Sequence, residues 1–283
     1  MKTILVTTDY SSDATNAVHY AAKLAACFNA NLLLFNAFQL SVHTSNAFIS
    51  PTAVDHMIAN NETRLDELAK ELAKKYNIDA KGITYVSLVE EELKKLVKEN
   101  RVDLVVMGMQ NDLPENKLLG NTTTTVIRKA DFPVLVVPFG AEFSNIEKIL
   151  FARDENAIHE EDKSIKLFKE IAEGFKADVE VFHVEKMPVK RTDELKEDMQ
   201  EDELEQVLNG THHTYKMTNA TKVADSIVDE IKSYQPNLLV MIPHKGTFMD
   251  RLLKRSITRK MIMETQLPLL ALPDVKKKKA AHA

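Results

Sequence analysis

The chain repeats itself once, and this internal repeat constrains its fold more than any other feature of the sequence. The segment DLVVMGMQND at 103–112 matches NLLVMIPHKG at 237–246 in pattern, and FPVLVVP at 132–138 matches LPLLALP at 267–273 in the same order. A unit repeated at this scale is one structural module, which predicts two halves that are built alike. The two copies differ in length between the matched segments, where folded proteins accept insertions and deletions.

Each half alternates short apolar runs with amphipathic helical patterns. The run TILVTT at 3–8 is typical of a buried parallel strand, and apolar residues at helical spacing follow it. Such alternation predicts right-handed crossovers and a parallel sheet that is covered on both faces. The expected fold class is α/β, with two tandem doubly wound parallel sheets of five strands each. We expect the two domains at 1–140 and 145–275 and a disordered basic tail at 276–283.

The composition narrows the functional classes. A formal net charge of −5 and a pI near 6.0 argue against a nucleic-acid partner, because proteins that neutralise backbone phosphates are usually basic. No apolar run reaches the roughly 20 residues that a membrane span needs, and the N-terminus lacks the apolar core of a secretory signal. The single cysteine, Cys27, fits a reducing compartment, and its apolar helical surroundings predict a core position. We therefore expect a cytoplasmic protein without a membrane partner.

The carboxyl ends of the predicted strands carry residues that could build a ligand site. In open α/β sheets, ligands bind at these ends where the strand order reverses, and helix N-termini there attract anions. Gly108 would let a ligand or a chain approach the backbone closely, and Gly120 would let the first amides of the next helix face an oxyanion. The candidate binding residues are Thr7, Thr8, Asp9, Ala37, Met107, Gly108, Gly120, Asn121, Thr122 and Thr123.

Alternative interpretations of these residues stay open. Asp9 could accept hydrogen bonds from a ribose or an adenine amine, but it could also serve in the turn that caps the next helix or in a dimer contact. The stretch from Gly108 to Thr123 could hold a phosphate or only connect a strand to a helix. The variable segment SVHTSNAFISPT at 41–52 could be a lid over the site or an idle connection.

Motifs of catalysis and of metal binding are absent from the sequence. It contains no G-x-S-x-G, G-x-x-x-x-G-K-[ST] or G-x-G-x-x-G pattern. His212 and His213 are adjacent on a predicted strand, so their side chains point to opposite faces and cannot bind one ion together. We therefore predict that the protein is not an enzyme and has no metal site of its own.

The tandem β-α-β-α-β halves, Asp9 after the first strand and the segment VVMG…LLGNTTTTVIRKADFPVLVVP together resemble the universal stress protein family. Nucleotide-binding members of that family carry a G-x2-G-x9-G-[ST] loop around the phosphates of ATP. Gly108 matches the first glycine of this loop, and Asn111 stands in place of the second. Gly120 matches the third glycine, and Asn121 takes the Ser or Thr position. The resemblance thus adds Asn111 to the candidate binding residues.

The resemblance also implies an architecture and a function. The fold would be adenine nucleotide alpha hydrolase-like, with halves related by a pseudo-twofold axis whose last strands pair edge to edge as an internal pseudo-dimer. The protein would be a non-enzymatic stress-response factor that binds ATP or AMP in its first half, with Mg²⁺ only as the companion of ATP. Its protein partners stay unidentified, and association into a homodimer stays open. A nucleotide-independent interaction scaffold and a weak ATPase are the alternative functions.

The second half departs further from the family loop. Ile242 takes the place of the first glycine and Lys245 that of the second, while Arg255 stands at the third and Ser256 keeps the hydroxyl. A branched side chain in place of a glycine fills space that a triphosphate would need. We therefore expect a degenerate phosphate loop in the second half.

Overall fold

The computed structural model describes residues 1–38, 51–86, 89–109, 121–153, 163–186, 204–221, 223–242 and 266–273. Its strands are β1 (Thr3–Thr7), β2 (Asn31–Phe38), β3 (Ala80–Val86), β4 (Leu104–Met109), β5 (Val134–Pro138), β6 (Lys148–Arg153), β7 (Asp178–Lys186), β8 (His213–Ala220), β9 (Leu238–Met241) and β10 (Leu269–Ala271). Its helices are α1 (Ser12–Phe28), α2 (Pro51–Tyr76), α3 (Val89–Glu99), α4 (Asn121–Lys129), α5 (Lys163–Phe175) and α6 (Val223–Tyr234), with a further helical turn at 204–208.

The ten strands lie in one sheet, in which both halves of the chain have the same internal order. The order is β3-β2-β1-β4-β5-β10-β9-β6-β7-β8. Neighbours within each half pair parallel, whereas β5 and β10 pair antiparallel, with Leu270 opposite Leu135. The predicted α/β class is therefore confirmed. The last strands of the two halves pair edge to edge, as the resemblance implied, and this antiparallel pair joins the two predicted five-stranded sheets into one sheet of ten strands. The domain boundaries at 1–140 and 145–275 stay predictions.

Helices cover both faces of this sheet. One hydrophobic cluster joins strand residues such as Val6 to α1, α2 and α5, and the other joins intervening residues such as Leu5 to α3, α4 and α6. Because successive strand residues point to opposite faces, a strand covered on both sides must be apolar throughout. This explains the continuous apolar runs, since β5 and β9 are buried at every position. No helix in the described part of the chain has the length and apolarity of a membrane span.

The first strand of each half is held at its start by a matching pair of hydrogen bonds. Asp103, just before β4, accepts through Oδ2 from the backbone N–H groups of Lys2 and Thr3 at 2.6 and 3.0 Å. Asn237, at the matching place before β9, accepts through Oδ1 from the two N–H groups at the start of β6, both at 2.9 Å. A single side-chain oxygen thus fixes the first strand of each half against its neighbour.

Aromatic residues at matching positions meet where the halves pack together. Phe28 ends α1 and Phe175 ends α5, and the centroids of their rings lie 5.4 Å apart in an edge-to-face arrangement. Phe175 also lies against Phe143, which packs against Tyr20. A Cβ added at Gly174 would lie 2.7 Å from the Phe28 ring. The halves are therefore joined by an aromatic cluster as well as by strand pairing.

Cys27 is exposed, which corrects its predicted core position. The buried face of α1 passes through Ala21 and Leu24 and continues to Phe28, so Cys27 falls beside that face. The tail at 276–283 and residues 41–50 of the variable segment lie outside the described residues.

A buried pair of carboxyl groups lies between β7 and α6 in the second half. Glu180 and Glu230 are each less than a tenth exposed, and Lys216 Nζ lies 2.6 Å from Glu230 Oε2. Burial raises the pKa of Glu180, the charge of Glu230 raises it further, and Lys216 and Lys148 oppose both effects. Glu180 therefore binds its proton more tightly in the folded protein than in the unfolded chain.

We expect Glu180→Gln to raise the melting temperature at neutral pH by a few degrees. Because the pKa of Glu180 is raised by folding, stability is full below the ordinary pKa of a glutamate and falls as pH rises towards the folded value. Glutamine does not ionise, so the variant should not lose this stability as pH rises, and its melting temperature should depend less on pH. Thermal unfolding from about pH 4.5 to 8 measures both effects, with the exposed Glu142→Gln as control. An unchanged pH dependence would contradict the burial argument.

Candidate functional site

A cleft lies at the carboxyl ends of the strands in the first half. After β1 the chain continues into α1, which covers one face of the sheet. After the adjacent β4 it continues to α4, which covers the other face. The two connections diverge, which leaves a crevice between them as in other doubly wound sheets. The cleft encloses about 260 Å³. Its lining consists of Thr7, Thr8, Asp9, Ser11, Asp13, Ala14, Phe35, Ala37, Val89, Met107, Gly108, Thr122 and Thr123.

Most of the residues predicted from the sequence meet in this cleft. Eight of them line it, from the ends of β1, β2 and β4 and the first turn of α4: Thr7, Thr8, Asp9, Ala37, Met107, Gly108, Thr122 and Thr123. Asn121 is the first residue of α4. Asn111 and Gly120 lie outside the described residues. The structure therefore brings together residues from four separate elements.

The lining also includes residues that were not predicted from the sequence. Ser11, Asp13 and Ala14 belong to the start of α1, directly after Asp9. A helix that begins at the edge of a site presents its whole first turn, so the pattern DYSSDA could have been assigned to the site as a unit. Phe35 could also have been found, because it shares a face of β2 with Ala37. No pattern in the sequence marks Val89.

The side chains of the turn between β1 and α1 hold it in place. Ser11 caps α1, since its Oγ accepts from the N–H of Ala14 at 3.3 Å. Asp9 Oδ1 accepts from the N–H of Ser11 at 3.0 Å, and Thr8 Oγ1 accepts from the N–H of Tyr10 at 3.1 Å. The turn interpretation of Asp9 is therefore confirmed, although Asp9 is also exposed at the cleft.

Gly108 lies against the backbone of the first turn of α1. A Cβ at this position would lie 2.8 Å from the carbonyl O of Asp13 and 3.2 Å from the N of Ala14. These atoms belong to a helix and cannot move aside as the end of a flexible side chain would. From the sequence, either a ligand or another part of the backbone could lie close to Gly108, and the structure shows that the backbone of α1 does. The glycine lets α1 pack onto the end of β4.

The start of α4 is tied to the end of β4. Thr123 is buried, and its Oγ1 donates to the carbonyl O of Gly108 at 3.3 Å. Thr122 is exposed and lines the cleft. The first amides of a helix have no partner within the helix and carry partial positive charge. This end of the cleft can therefore receive an anionic group.

Carboxylates, hydroxyls and apolar groups share the described lining of the cleft. Asp9 and Asp13 both line it, and the described lining contains no lysine, arginine or histidine. The other polar groups are threonine and serine hydroxyls, which can donate to a ligand or accept from it. The apolar side of the cleft consists of Phe35, Ala37, Val89 and Met107.

Metal-ligating clusters are not found among the described residues, where no three histidine, cysteine or carboxylate side chains are grouped. His212 Nδ1 lies 2.6 Å from Asp178 Oδ1. His213 Nε2 instead lies 2.8 Å from Glu205 Oε2. The adjacent histidines therefore take separate partners.

The second half has a different residue at the position that matches Gly108. Ile242 follows β9 there, and its partly buried side chain packs against the cluster that contains the residues of α1 and α5. Lys245, Arg255 and Ser256 lie outside the described residues, so the degenerate phosphate loop stays a prediction.

Comparison with known sequences identifies relatives of the first half. Residues 1–138 match the Universal stress protein family. A universal stress protein of Methanocaldococcus jannaschii is 35% identical over 78 residues, which are 27% of this chain and 47% of the relative. The chain thus spans about half the length of this curated relative.

Solved structures of universal stress proteins share the fold over nearly the whole chain. One from Archaeoglobus fulgidus has a TM-score of 0.67 and 14% identity, with 96% of this chain and 98% of that chain covered. A putative universal stress protein from Pseudomonas aeruginosa has a TM-score of 0.61 and 18% identity, with 96% and 93% covered. At these identities the similarity concerns the fold alone. The match of residues 1–138 indicates the universal stress protein family.

Proposed function

We propose that this protein binds an adenine nucleotide in the cleft of its first half and acts in a stress response by binding rather than by turnover. The observation that carries the proposal is the convergence of β1, β2, β4 and α4 on one cleft where the strand connections diverge. The match of residues 1–138 to the universal stress protein family supports the choice of an adenine nucleotide as the ligand.

The parts of the cleft suit the parts of a nucleotide. Phe35 and Met107 contribute to an apolar side for the flat base. The exposed carboxylate of Asp9 can accept hydrogen bonds from ribose hydroxyls or from the adenine amine. The start of α4, with the Thr122 hydroxyl beside it, suits a phosphate. We assign Asn111, Gly120 and Asn121 to this phosphate end as well.

The exposed carboxylate of Asp9 bears on which nucleotide fits, because its negative charge repels a free polyphosphate. AMP carries less negative charge than ATP, and Mg²⁺ neutralises part of the charge of ATP. We therefore propose AMP or the Mg²⁺ complex of ATP, rather than free ATP, as the ligand.

The same lining supports binding without turnover. Within its described part there is no histidine, lysine or cysteine that could act as a general base or a nucleophile. One oxygen of Asp9 already accepts from the N–H of Ser11. If the protein were a weak ATPase, it would release phosphate from ATP, and substitution of Asp9 would change the rate of that release. If it were a nucleotide-independent scaffold, it would bind its protein partners equally with and without AMP.

We expect Asp9→Asn to weaken AMP binding by more than about ten-fold, because a hydrogen bond to a charged group is worth roughly 1.5–3 kcal/mol. Asparagine keeps an oxygen that can accept from the N–H of Ser11, so the turn should stay intact. Isothermal titration calorimetry on the full chain measures the affinity, and the melting temperature without ligand checks the fold. Asp131→Asn, at an exposed residue before β5, is the matched control. Equal affinities of wild type and Asp9→Asn would remove Asp9 from the site.

We also expect removal of Mg²⁺ by EDTA to weaken ATP binding at least about five-fold while AMP binding changes little. The reason is that the metal ion offsets the repulsion between the polyphosphate and the carboxylate of Asp9, and a difference of about 1 kcal/mol in binding free energy corresponds to this factor. Titrations of both nucleotides with and without EDTA make the comparison. Tighter binding of free ATP than of AMP would show that the cleft is cationic in the bound state and would refute the charge argument.

A further inference from the structure

The turn between β1 and α1 contains a strained residue. Tyr10 has a φ of 63°, in the left-handed region that bulky residues rarely adopt. Such a conformation persists only where surrounding contacts hold it, and it returns to a relaxed geometry when they are lost. Tyr10 lies directly between Asp9 and Ser11, which both line the cleft. Tyr10 therefore belongs to the turn that forms part of the cleft wall.

Helix α2 supplies these contacts to the Tyr10 side chain. The guanidinium carbon of Arg64 lies 3.7 Å from the centroid of the Tyr10 ring. The Tyr10 hydroxyl donates to the backbone O of Asn61 at 3.4 Å. A cation over an aromatic face at this distance is attracted by the ring quadrupole. One turn of α2 thus holds the ring from two directions.

A second route leads from α2 to the same turn through side-chain amides. Asn61 Nδ2 donates to Asn36 Oδ1, and Asn36 Nδ2 donates to the carbonyl O of Thr8 at 2.6 Å. Asn36 is 4% exposed. Its neighbours in β2, Phe35 and Ala37, point to the opposite face of the sheet and line the cleft. This series of hydrogen bonds therefore lies behind the wall of the cleft.

We propose that Asn61 and Arg64 of α2 are positioning residues for the nucleotide site. Neither lines the cleft; both act on the turn that presents Asp9, through Thr8 and Tyr10. This inference rests on the proposed function. Binding free energies are reciprocal, so a nucleotide that selects the held form of the turn also stabilises the docking of α2. The helix is coupled to the occupancy of a cleft that it does not line.

Substitutions of Arg64 test the positioning role. We expect Arg64→Ala to raise the dissociation constant of AMP about two- to five-fold, the range that one exposed cation–π contact supplies. Arg64→Lys keeps a cation near the ring and should restore most of the affinity. Lys70→Ala, at an exposed residue of the same helix, is the matched control and should bind as the wild type does. Calorimetric titration of the full chain with AMP measures all four proteins.

A double-mutant cycle separates positioning from general stability. In a Tyr10→Leu background the guanidinium has no ring to contact, so Arg64→Ala should no longer change the affinity for AMP. A merely structural role of Arg64 would lower the melting temperature and leave the dissociation constant of the folded protein unchanged. Asn61→Asp replaces the amide donor that faces Asn36 Oδ1 by an acceptor, and it should weaken AMP binding in the same direction as Arg64→Ala.

Amide hydrogen exchange tests the coupling with and without ligand. Without AMP, the amides of residues 8–14 should exchange faster in Arg64→Ala than in the wild type or in Lys70→Ala. With AMP, the amides of α2 around Asn61 should become better protected in the wild type. Unchanged exchange together with unchanged affinity in Arg64→Ala overturns the inference and leaves the proposed function intact. If the turn exchanges faster in Arg64→Ala but the wild type binds no AMP, the proposed function is overturned, whereas the stabilisation of the turn by α2 is supported.

Discussion

The antiparallel pairing of β5 with β10 is the interaction on which the rest of the structure depends. Each of these strands ends its half of the chain, and each is buried at every position. A strand of this kind cannot leave its edge in water, because its backbone N–H and C=O groups would be unpaired beside apolar side chains. Pairing Leu135 with Leu270 satisfies both edges at once. The two halves are therefore parts of one sheet, and their helices pack into common clusters on each face.

A second constraint, local to the first half, shapes the cleft. The first turn of α1 rests on Gly108 without an intervening side chain. That contact places Ser11 and Asp13 at the cleft, and the hydrogen bond from Thr123 to Gly108 places the start of α4 opposite them. In the second half, Ile242 at the matching position packs into the core instead. The glycine and the isoleucine thus give the two halves different surroundings at the same point of the sheet.

Much of the fold follows from local patterns, because a strand buried on both faces must be apolar and a covering helix must be amphipathic. Local patterns specify less well which face of a helix is buried. Cys27 was wrongly predicted to lie in the core, since the buried face of α1 continues through Phe28 and leaves Cys27 exposed. At Gly108 the sequence could not distinguish a ligand from a helix, since either neighbour requires the absence of a Cβ. Local sequence patterns could not predict the contacts of Asn61 and Arg64 with the turn. These contacts arise from the docking of α2, which is distant in sequence from Tyr10.

The most direct test of the nucleotide site is a crystal structure of the full chain grown with AMP. We expect the nucleotide in the cleft of the first half, with its base against Phe35 and Met107, its ribose at Asp9 and its phosphate at the start of α4 beside Thr122. Crystals grown with AMP at a concentration that saturates its measured binding, but with that cleft filled by the protein's own side chains or with the nucleotide bound elsewhere, would contradict the proposal.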